Sequence, residues 1–281
     1  MTLALRSLLF VPADDERKIA KALKSEADVV ILDLEDSVVS ANKAAARSTA
    51  AAILRDRRGG KIFIRINSFP SGHADADIEA IAHNRPDGVI LPKSRSGRDI
   101  LKLAAMTGSV VPIIAIATET ASSLLDMGSY CGAGQALLGL AWGGEDLSVE
   151  LGAATNRDTG GGYTDPYRLA RSLCLIAARA AGVEPIDAVY TAYRDLNGLE
   201  EEAKAAARDG FSAKLAIHPD QIPIINRVFT PTAKEIEFAR RIIAAFAEAG
   251  DSGVIGLDGE MLDVPHLRRA ERLLARAALT R

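Results

Sequence analysis

Short apolar runs rich in valine, isoleucine and leucine alternate along most of the chain with longer stretches of helical periodicity that are rich in alanine and charged residues. Nearly continuous apolar runs of this length are typical of parallel strands that are covered on both faces. The predicted strands are Ser7–Pro12, Val29–Asp33, Lys61–Asn67, Gly88–Pro92, Val111–Thr118, Ala136–Trp142, Ile186–Thr191 and Phe211–Ile217. The clearest helical stretches between them are Ala41–Arg55, Asp165–Ala181 and Leu199–Asp209.

This alternation favours the α/β class and, within it, a closed (β/α)8 TIM barrel. The predicted strands all precede residue 230, and no break in composition divides them. An open doubly wound sheet usually stops at fewer strands, so it is the less favoured alternative. We therefore expect residues 1–230 to form one barrel that carries the catalytic site.

The pattern changes after the last predicted strand. A long helical stretch begins at Pro231–Thr232 and runs to about Ala247, Gly250–Gly259 is predicted to be a loop, and Val264–Ala278 has the pattern of an amphipathic helix. A barrel does not need these residues to close. We expect residues 231–281 to form a helical arm that packs on a barrel mouth, either its own or that of a neighbouring subunit.

Composition narrows the possible partners. The 281 residues include 34 Lys and Arg against 37 Asp and Glu, which leaves a formal net charge of −3. Non-specific binding to nucleic acid or to an anionic membrane needs a basic surface, so neither partner is expected. No apolar run approaches the roughly 18 residues of a membrane span. The first residues have the pattern of a strand rather than of a signal peptide, so we expect a cytoplasmic protein.

Carboxylates follow two neighbouring strands at the end where a barrel builds its active site. Glu119 follows the fifth predicted strand and Asp146 the sixth. Adjacent strands lie about 4.8 Å apart, and two carboxylates so close repel each other unless a cation lies between them. Hard oxygen ligands without a cluster of His or Cys favour Mg²⁺, and Trp142 is expected to pack beneath the ion. The alternative is that Asp146 caps the next helix and that Glu119 interacts with a helix dipole.

Arg65 lies near the end of the third predicted strand and is expected to point a fixed cationic fork into the barrel mouth. Such a group suits a substrate carboxylate or a developing enolate oxygen. A salt bridge to Glu35 or Asp36 is the alternative, and both roles are compatible. Because Asp33, Glu35 and Asp36 are too many acids for one task, we expect one or two of them to orient Arg65 or metal-bound water.

Several weaker features follow from the local sequence. Gly160–Gly162 lacks the Lys-Ser/Thr pair of a phosphate loop and is expected to be a mobile loop over the mouth. His218 is expected to be packed or bonded to the backbone rather than to act as a base. Cys131 and Cys174 are too few for a disulfide framework, and their apolar neighbours predict buried, reduced thiols.

The first predicted helix carries Arg17, Lys18 and Lys21 near the expected barrel mouth. These side chains form either an ordinary solvated face or a contact surface for a phosphorylated substrate. The residues alone favour neither interpretation.

A set of ordered motifs resembles the citrate lyase β-subunit-like proteins of the HpcH/HpaI aldolase/citrate lyase superfamily. The motifs span residues 6 to 263, and together they are specific although each alone is weak. They are Arg6–Pro12, Leu32–Val38, Arg65–Asn67, Leu91–Lys93, Glu119–Thr120, Gly144–Leu147, Gly210–Lys214, Ile217–Pro219 and Asp258–Asp263. Ala13 and Ala213 stand where the family usually has glycine.

The resemblance implies a Mg²⁺-dependent carbon–carbon lyase that acts on a 3-hydroxyacyl-CoA thioester and yields an acyl-CoA and an α-keto acid. It implies that Glu119 and Asp146 bind the metal and that Glu119 also contacts substrate. It further implies that Arg65 is catalytic and binds the substrate carboxylate or thioester oxygen. Arg17 and Lys21 look like the contacts to the CoA phosphates.

The resemblance also assigns three residues that the pattern alone does not single out. Leu215 and Ala216 would supply backbone contacts to the substrate. Asp263 looks like a catalytic acid/base supplied by an adjacent subunit, which implies a homotrimer or a dimer of trimers.

Two other functions stay open at this point. The chain is compatible with a β subunit of a citrate lyase complex that acts on an acyl-carrier-protein thioester. It is also compatible with a class II aldolase that uses substrates without CoA.

Overall fold

The computed structural model describes residues 5–56, 60–108, 111–250 and 253–279. Eight parallel strands follow one another in chain order around a closed barrel, in which the first strand pairs with both the second and the last. They are β1 Ser7–Pro12, β2 Val29–Asp33, β3 Ile62–Arg65, β4 Gly88–Leu91, β5 Ile113–Ile116, β6 Leu137–Ala141, β7 Glu184–Asp187 and β8 Ala213–Ala216. The predicted TIM barrel is confirmed.

Helices connect the strands. They are α1 Glu16–Ala22, α2 Lys43–Asp56, α3 Ala74–Ala82, α4 Gly97–Met106, α5 Ala121–Leu125, α6 Gly144–Glu150, α7 Asp165–Ala181 and α8 Leu196–Asp209, and α9 Ile222–Phe229 follows the last strand. Short 3₁₀ turns occupy Ser40–Asn42, Phe69–Ser71, Met127–Gly132 and Pro219–Gln221. The predicted helix over Asp165–Ala181 has the same bounds, because Gly182 adopts the left-handed conformation that ends a helix.

The strand register sets the site. Asp33 is paired with Arg65 across β2 and β3, and Asp187 is paired with Lys214 across β7 and β8. Apart from the half-buried Glu184, the other residues of these four strands are apolar and buried. Parallel register therefore brings opposite charges side by side inside the barrel.

The predicted bounds of the seventh strand are corrected. β7 begins at Glu184 and ends at Asp187, whereas the prediction ran over Ile186–Thr191.

Cys174 is buried as expected, but the prediction was wrong for Cys131, which is exposed within a 3₁₀ turn. Among the described residues, no helix combines the length and the apolarity that crossing a bilayer requires.

Residues 5–226 and 227–279 form two compact units. The second contains α10 Ala233–Ala249, the strands β9 Val254–Leu257 and β10 Glu260–Asp263, and α11 Val264–Leu279. A capping box between Thr232 and Glu235 starts α10. Both helices and the hairpin contribute to one small core, including Ile242, Phe246, Ile255 and Leu262.

The loop predicted over Gly250–Gly259 is wrong in its second half. Residues 254–263 form an antiparallel hairpin in which Leu257 pairs with Glu260. The two residues between them, Asp258 and Gly259, have φ angles of 55° and 85°. An Asp-Gly pair with positive φ at both positions is the preferred two-residue hairpin turn.

Candidate active site

A cavity of about 360 Å³ opens where the barrel strands end. Residues at or just after the carboxyl ends of β1, β2, β3, β5, β6, β7 and β8 line it. This is the face on which TIM barrels build their active sites. The predicted site residues that line it are Arg65, Glu119, Asp146 and Leu215.

Glu119 is the buried acid of this cavity. It follows the apolar strand β5 and is only 5% exposed. Its Oε2 accepts a hydrogen bond from the backbone N–H of Lys93. Burial, and then the charge of Asp146, raise the pKa of Glu119 well above its usual value. The carboxylate is therefore costly to ionise here unless a cation lies beside it.

Asp146 lies in the first turn of α6 and is half-buried. The capping alternative is wrong for this residue, because Gly143 occupies the N-cap position. A Cβ atom at Gly143 would lie 3.0 Å from Cγ of Glu119. Glycine at this position thus allows the turn that carries Asp146 to approach Glu119 closely.

Arg65 is held by a bidentate ion pair. Its Nε and Nη2 donate to the two oxygens of Asp33 at 2.7 and 2.6 Å, and its Nη1 lies 3.3 Å from Oε2 of Glu35. The ring of Phe10 lies 4.6 Å from the guanidinium carbon. Burial opposes the charge, but the surrounding carboxylates outweigh it and raise the pKa of Arg65. The structure confirms that Asp33 orients Arg65 and that Glu35 pairs with it.

Lys93 belongs to the site, although the sequence pattern assigned it no role. Its Nζ lies 2.7 Å from Glu35, 2.9 Å from Asp36 and 3.3 Å from Asp146. Its φ angle is 50°, which is uncommon for a residue with a side chain. This backbone conformation directs the N–H at Glu119 while the ammonium reaches the other acids. The signal in the sequence was a lysine directly after a predicted strand, next to a strand that is followed by Glu119.

Glu35 has an acid–base behaviour set by burial. It is 4% exposed, and burial raises its pKa to about 7 against the opposing effects of Arg65 and Lys93. The protonated form of Glu35 is thus more favourable in the folded protein than in the unfolded chain.

We expect Glu35 to make stability fall as the pH rises. In the unfolded chain Glu35 has the ordinary pKa of 4.5 and loses its proton at a lower pH than in the folded protein, where its pKa is about 7. The folded state binds more protons between these values, so the stabilisation is present below pH 4.5 and is lost as the pH rises through 7. Relative to Glu35→Gln, the free energy of unfolding of the wild type should fall by about 3 kcal/mol across this window.

Urea unfolding of both proteins at several pH values measures this fall. A difference between the two proteins that does not depend on pH contradicts the prediction.

A second cavity of about 340 Å³ adjoins the first. Both are lined by Phe10, Val11, Pro12 and Ile217. The second is also lined by the cationic side chains of α1, namely Arg17, Lys18 and Lys21. The structure therefore places the basic cluster beside the main cavity, as the sequence interpretation required.

Residues around β8 differ in their access to these cavities. Leu215 lines the main cavity, whereas Ala216 is fully buried and Ile217 lines both cavities. Nδ1 of His218 accepts a hydrogen bond from the backbone N–H of Asp220 at 3.3 Å. The prediction that His218 bonds to the backbone is confirmed.

The turn at Gly160–Gly162 leads into a wall of the main cavity. Oδ1 of Asp158 accepts hydrogen bonds from the backbone N–H groups of Gly160 and Gly162 at 2.9 and 3.0 Å. Tyr163 directly after it lines the main cavity together with Trp142. Sequence reasoning missed Tyr163, which only the fold of this connection brings to the site.

Asp263 lies in the second compact unit, at the end of β10. Its side chain is 52% exposed, and its Oδ1 lies 2.6 Å from Nδ1 of His266. Its predicted role as an acid/base from an adjacent subunit stays a prediction.

The chain is similar to known proteins over most of its length. Residues 6–219 match the family described as HpcH/HpaI aldolase/citrate lyase, and residues 170–280 match a carbon–carbon bond lyase family of the TIM-barrel fold. A citrate lyase subunit beta-like protein of Mycobacterium tuberculosis is 38% identical over 96% of this chain and 94% of its own length. A (3S)-malyl-CoA thioesterase of Cereibacter sphaeroides is 37% identical over 97% of this chain and 94% of its own length.

Further similarity extends to a mitochondrial protein and to a solved structure. The citramalyl-CoA lyase of Rattus norvegicus is 33% identical over 97% of this chain and 86% of its own length. The crystal structure of CitE from Mycobacterium tuberculosis, in complex with magnesium, acetoacetate and coenzyme A, has a TM-score of 0.83 and 37% identity. That match covers 99% of this chain and all of the other. The chain belongs to the HpcH/HpaI aldolase/citrate lyase family.

Proposed function

We propose that this chain is a Mg²⁺-dependent carbon–carbon lyase that cleaves a 3-hydroxyacyl-CoA thioester, such as citryl-, malyl- or citramalyl-CoA, into an acyl-CoA and an α-keto acid. The observation that carries the proposal is that Glu119 and Asp146 face one cavity beside Arg65. Family membership supports the reaction class, and the names of the relatives support CoA-thioester chemistry. The ligands of the Mycobacterium tuberculosis complex support magnesium as the cofactor.

The residues present fit a magnesium ion. Glu119 is buried, lines the cavity and, among the described residues, has no direct ion pair with a cationic side chain. Asp146 raises the cost of its charge further. A divalent cation relieves this repulsion, and carboxylate oxygens are the ligands that Mg²⁺ prefers. Glu119 and Asp146 would therefore hold the ion, which when bound supplies a Lewis acid and a template for the α-keto acid part of the substrate.

Arg65 is suited to stabilise the negative charge that develops. Cleavage transfers the proton of the substrate hydroxyl to solvent, breaks the bond between C2 and C3, and leaves the electron pair of that bond on the thioester as an enolate. Asp33 holds Nε and Nη2 of Arg65, whereas Nη1 contacts Glu35 without a hydrogen bond. Nη1 is thus pre-oriented to donate to the enolate oxygen or to a substrate carboxylate.

The enolate carbon must receive a proton before the acyl-CoA leaves. We assign this step to Asp263 of an adjacent subunit, acting as a positioned acid/base. The assignment goes with a homotrimer or a dimer of trimers, in which residues 231–281 pack on the barrel mouth of a neighbouring subunit. Light scattering in solution measures the assembly, and a monomer that is fully active contradicts the assignment.

We also propose that the protein is located in the cytoplasm.

The CoA part of the substrate is assigned to the second cavity. Arg17 and Lys21 lie on its wall. The lining that it shares with the main cavity would give the thioester a continuous path to Glu119 and Asp146, the two acids called here the metal pair. Leu215 and Ala216 would contribute backbone contacts along this path.

We expect the double substitution Arg17→Ala/Lys21→Ala to raise KM for CoA thioesters while leaving kcat unchanged. Losing two exposed phosphate contacts of about 0.7 kcal/mol each weakens binding of the CoA thioester roughly tenfold. Steady-state kinetics with the thioester varied measures the effect. Lys24→Ala is the matched control, because Lys24 is an exposed lysine just beyond α1 that does not line the cavity. An unchanged KM in the double variant removes the assignment.

Thioester hydrolysis is a second candidate, favoured by the malyl-CoA thioesterase among the relatives. The two reactions release different products. Cleavage of malyl-CoA by a lyase yields an acyl-CoA and an α-keto acid with no free thiol, whereas hydrolysis yields free CoA and a hydroxy acid. A thiol reagent and a keto-acid assay on the same reaction distinguish them. Mg²⁺-dependent keto acid without free thiol supports the lyase, and free thiol without keto acid contradicts it.

A further inference from the structure

Two aromatic rings form one wall of the main cavity beside the metal pair. Trp142 is fully buried, and its ring meets that of Tyr163 edge to face, with centroids 4.8 Å apart. A Cβ atom at Gly144 would lie 3.2 Å from the indole and 3.6 Å from the Tyr163 ring. The wall is therefore close-packed where it adjoins Asp146, and neither ring lines the second cavity.

A buried charge network holds the Trp142 side of this wall. The indole N–H donates to Oδ1 of Asp187 at 2.7 Å, and Nζ of Lys214 donates to Oδ2 at 2.5 Å. Lys214 is fully buried and also donates to Oε1 of Glu202 at 3.0 Å. A chain of hydrogen bonds thus runs from the indole into the barrel and out to α8.

The same network reaches the Tyr163 side. Oε2 of Glu202 accepts a hydrogen bond from Arg157 at 2.7 Å, and the guanidinium of Arg157 lies 3.9 Å from the centroid of the Tyr163 ring. Arg157 also donates to the carbonyl oxygen of Gly161 at 2.9 Å. One set of charges therefore orients both rings, although none of its members, Asp187, Lys214, Glu202 and Arg157, lines the cavity.

The charge of the cavity limits what this wall accepts. Arg65 is the only cationic side chain among the described residues that line the cavity, and Asp33 already binds it on two sides. Lys93 also reaches the site, but its ammonium is already paired with Glu35, Asp36 and Asp146. The proposed ion and Arg65 together can bind one substrate carboxylate near Glu119 and Asp146. A second carboxylate on the keto-acid part would face aromatic rings and the acids Glu145 and Asp146.

We propose that Trp142 and Tyr163 restrict the keto-acid part of the substrate to a hydrogen or methyl substituent, and that Arg157 and Glu202 are positioning residues that hold this wall. The inference rests on the lyase function proposed above. It names the substrate class as thioesters that yield glyoxylate or pyruvate rather than oxaloacetate. Buried charges paired in this way often contribute no more stability than apolar side chains of similar volume, which leaves orientation as the role of the network.

The test compares condensation of acetyl-CoA with glyoxylate, pyruvate and oxaloacetate. Wild-type kcat/KM should favour the better of the first two over oxaloacetate by about tenfold or more, the size of effect that a shaped apolar pocket produces. Tyr163→Ala and Arg157→Met should reduce this ratio about tenfold, mainly through KM, and Tyr163→Phe should keep it. Preference for oxaloacetate in the wild type, or an unchanged ratio in both variants, overturns the proposal.

A matched control separates positioning from general loss of an ion pair. Arg6 pairs with Asp28 at 2.6 Å and is 21% exposed, whereas Arg157 pairs with Glu202 at 2.7 Å and is 25% exposed. Arg6 lies just before β1, at the opposite end of the barrel. Arg6→Met should therefore leave the substrate ratio unchanged.

Fluorescence supplies a readout that does not depend on turnover. Trp142 is the single tryptophan of the chain, so its emission reports on the wall alone. Arg157→Met and Glu202→Gln should shift the emission to longer wavelength and increase quenching by acrylamide, whereas Arg6→Met should not. Unchanged emission and quenching in both network variants overturns the positioning role. If the wild type shows no condensation with any keto acid, the lyase function fails, and the fluorescence result still decides whether Arg157 and Glu202 hold the wall.

Discussion

Asp146→Asn and Glu119→Gln are each expected to reduce Mg²⁺-dependent cleavage of a 3-hydroxyacyl-CoA thioester by about three orders of magnitude. Loss of the Lewis acid raises the activation free energy by several kcal/mol. Each 1.36 kcal/mol slows the reaction tenfold, so an increase of about 4 kcal/mol gives this loss of rate. Neither change should unfold the barrel. Removing the charge of Glu119 in fact relieves a buried carboxylate whose ionisation is costly. Initial rates with and without a chelator, and circular dichroism, measure the two expectations.

The matched control for these variants is Glu150→Gln. Glu150 is an exposed acid on α6, the helix that carries Asp146, and it does not line the cavity. Its replacement should leave Mg²⁺-dependent activity intact. Full activity of wild type in chelator, or of both metal-pair variants, is incompatible with the metal role.

Arg65→Lys is expected to lower kcat/KM about a hundredfold or more, which is typical for loss of one preorganised donor to a developing oxyanion. A lysine presents one ammonium and cannot hold both oxygens of Asp33 while it donates to substrate. The loss should fall mainly on kcat, because the donor acts on charge that develops during cleavage. Steady-state kinetics at saturating Mg²⁺ measures the split between kcat and KM.

A second buried arginine–aspartate pair provides the control for Arg65. Arg47 donates to Asp77 at 2.7 Å, and the two side chains are 17% and 0% exposed, against 14% and 1% for Arg65 and Asp33. Arg47→Lys should cost similar stability in urea unfolding while kcat/KM stays near that of wild type. Equal activity of the two lysine variants would remove Arg65 from the reaction.

The barrel could be predicted because its strands are buried on both faces. Runs such as Val29–Asp33 contain almost no polar positions, and their spacing with helical stretches leaves few alternatives. The hairpin at residues 254–263 lacks this signal, because β9 and β10 expose most of their residues and lie among glycines. The Asp258-Gly259 turn was the available indication.

The acids and Arg65 were accessible to sequence reasoning because each lies at or shortly after the carboxyl end of an apolar strand. Lys93 follows a strand as well, but its role depends on a positive φ that the sequence does not reveal for a lysine. The partners of Lys214 were equally hidden, since strand register and α8 bring Asp187 and Glu202 to it. A lysine inside an otherwise apolar strand was the one indication that buried acids would be required.

Calorimetric titration of Mg²⁺ into the protein tests the central claim most directly, namely that Glu119 and Asp146 jointly bind one ion. We expect one Mg²⁺ per chain in the wild type, loss of this binding in Glu119→Gln and in Asp146→Asn, and retention in Glu150→Gln. Binding of one ion with wild-type affinity in both metal-pair variants would contradict the claim.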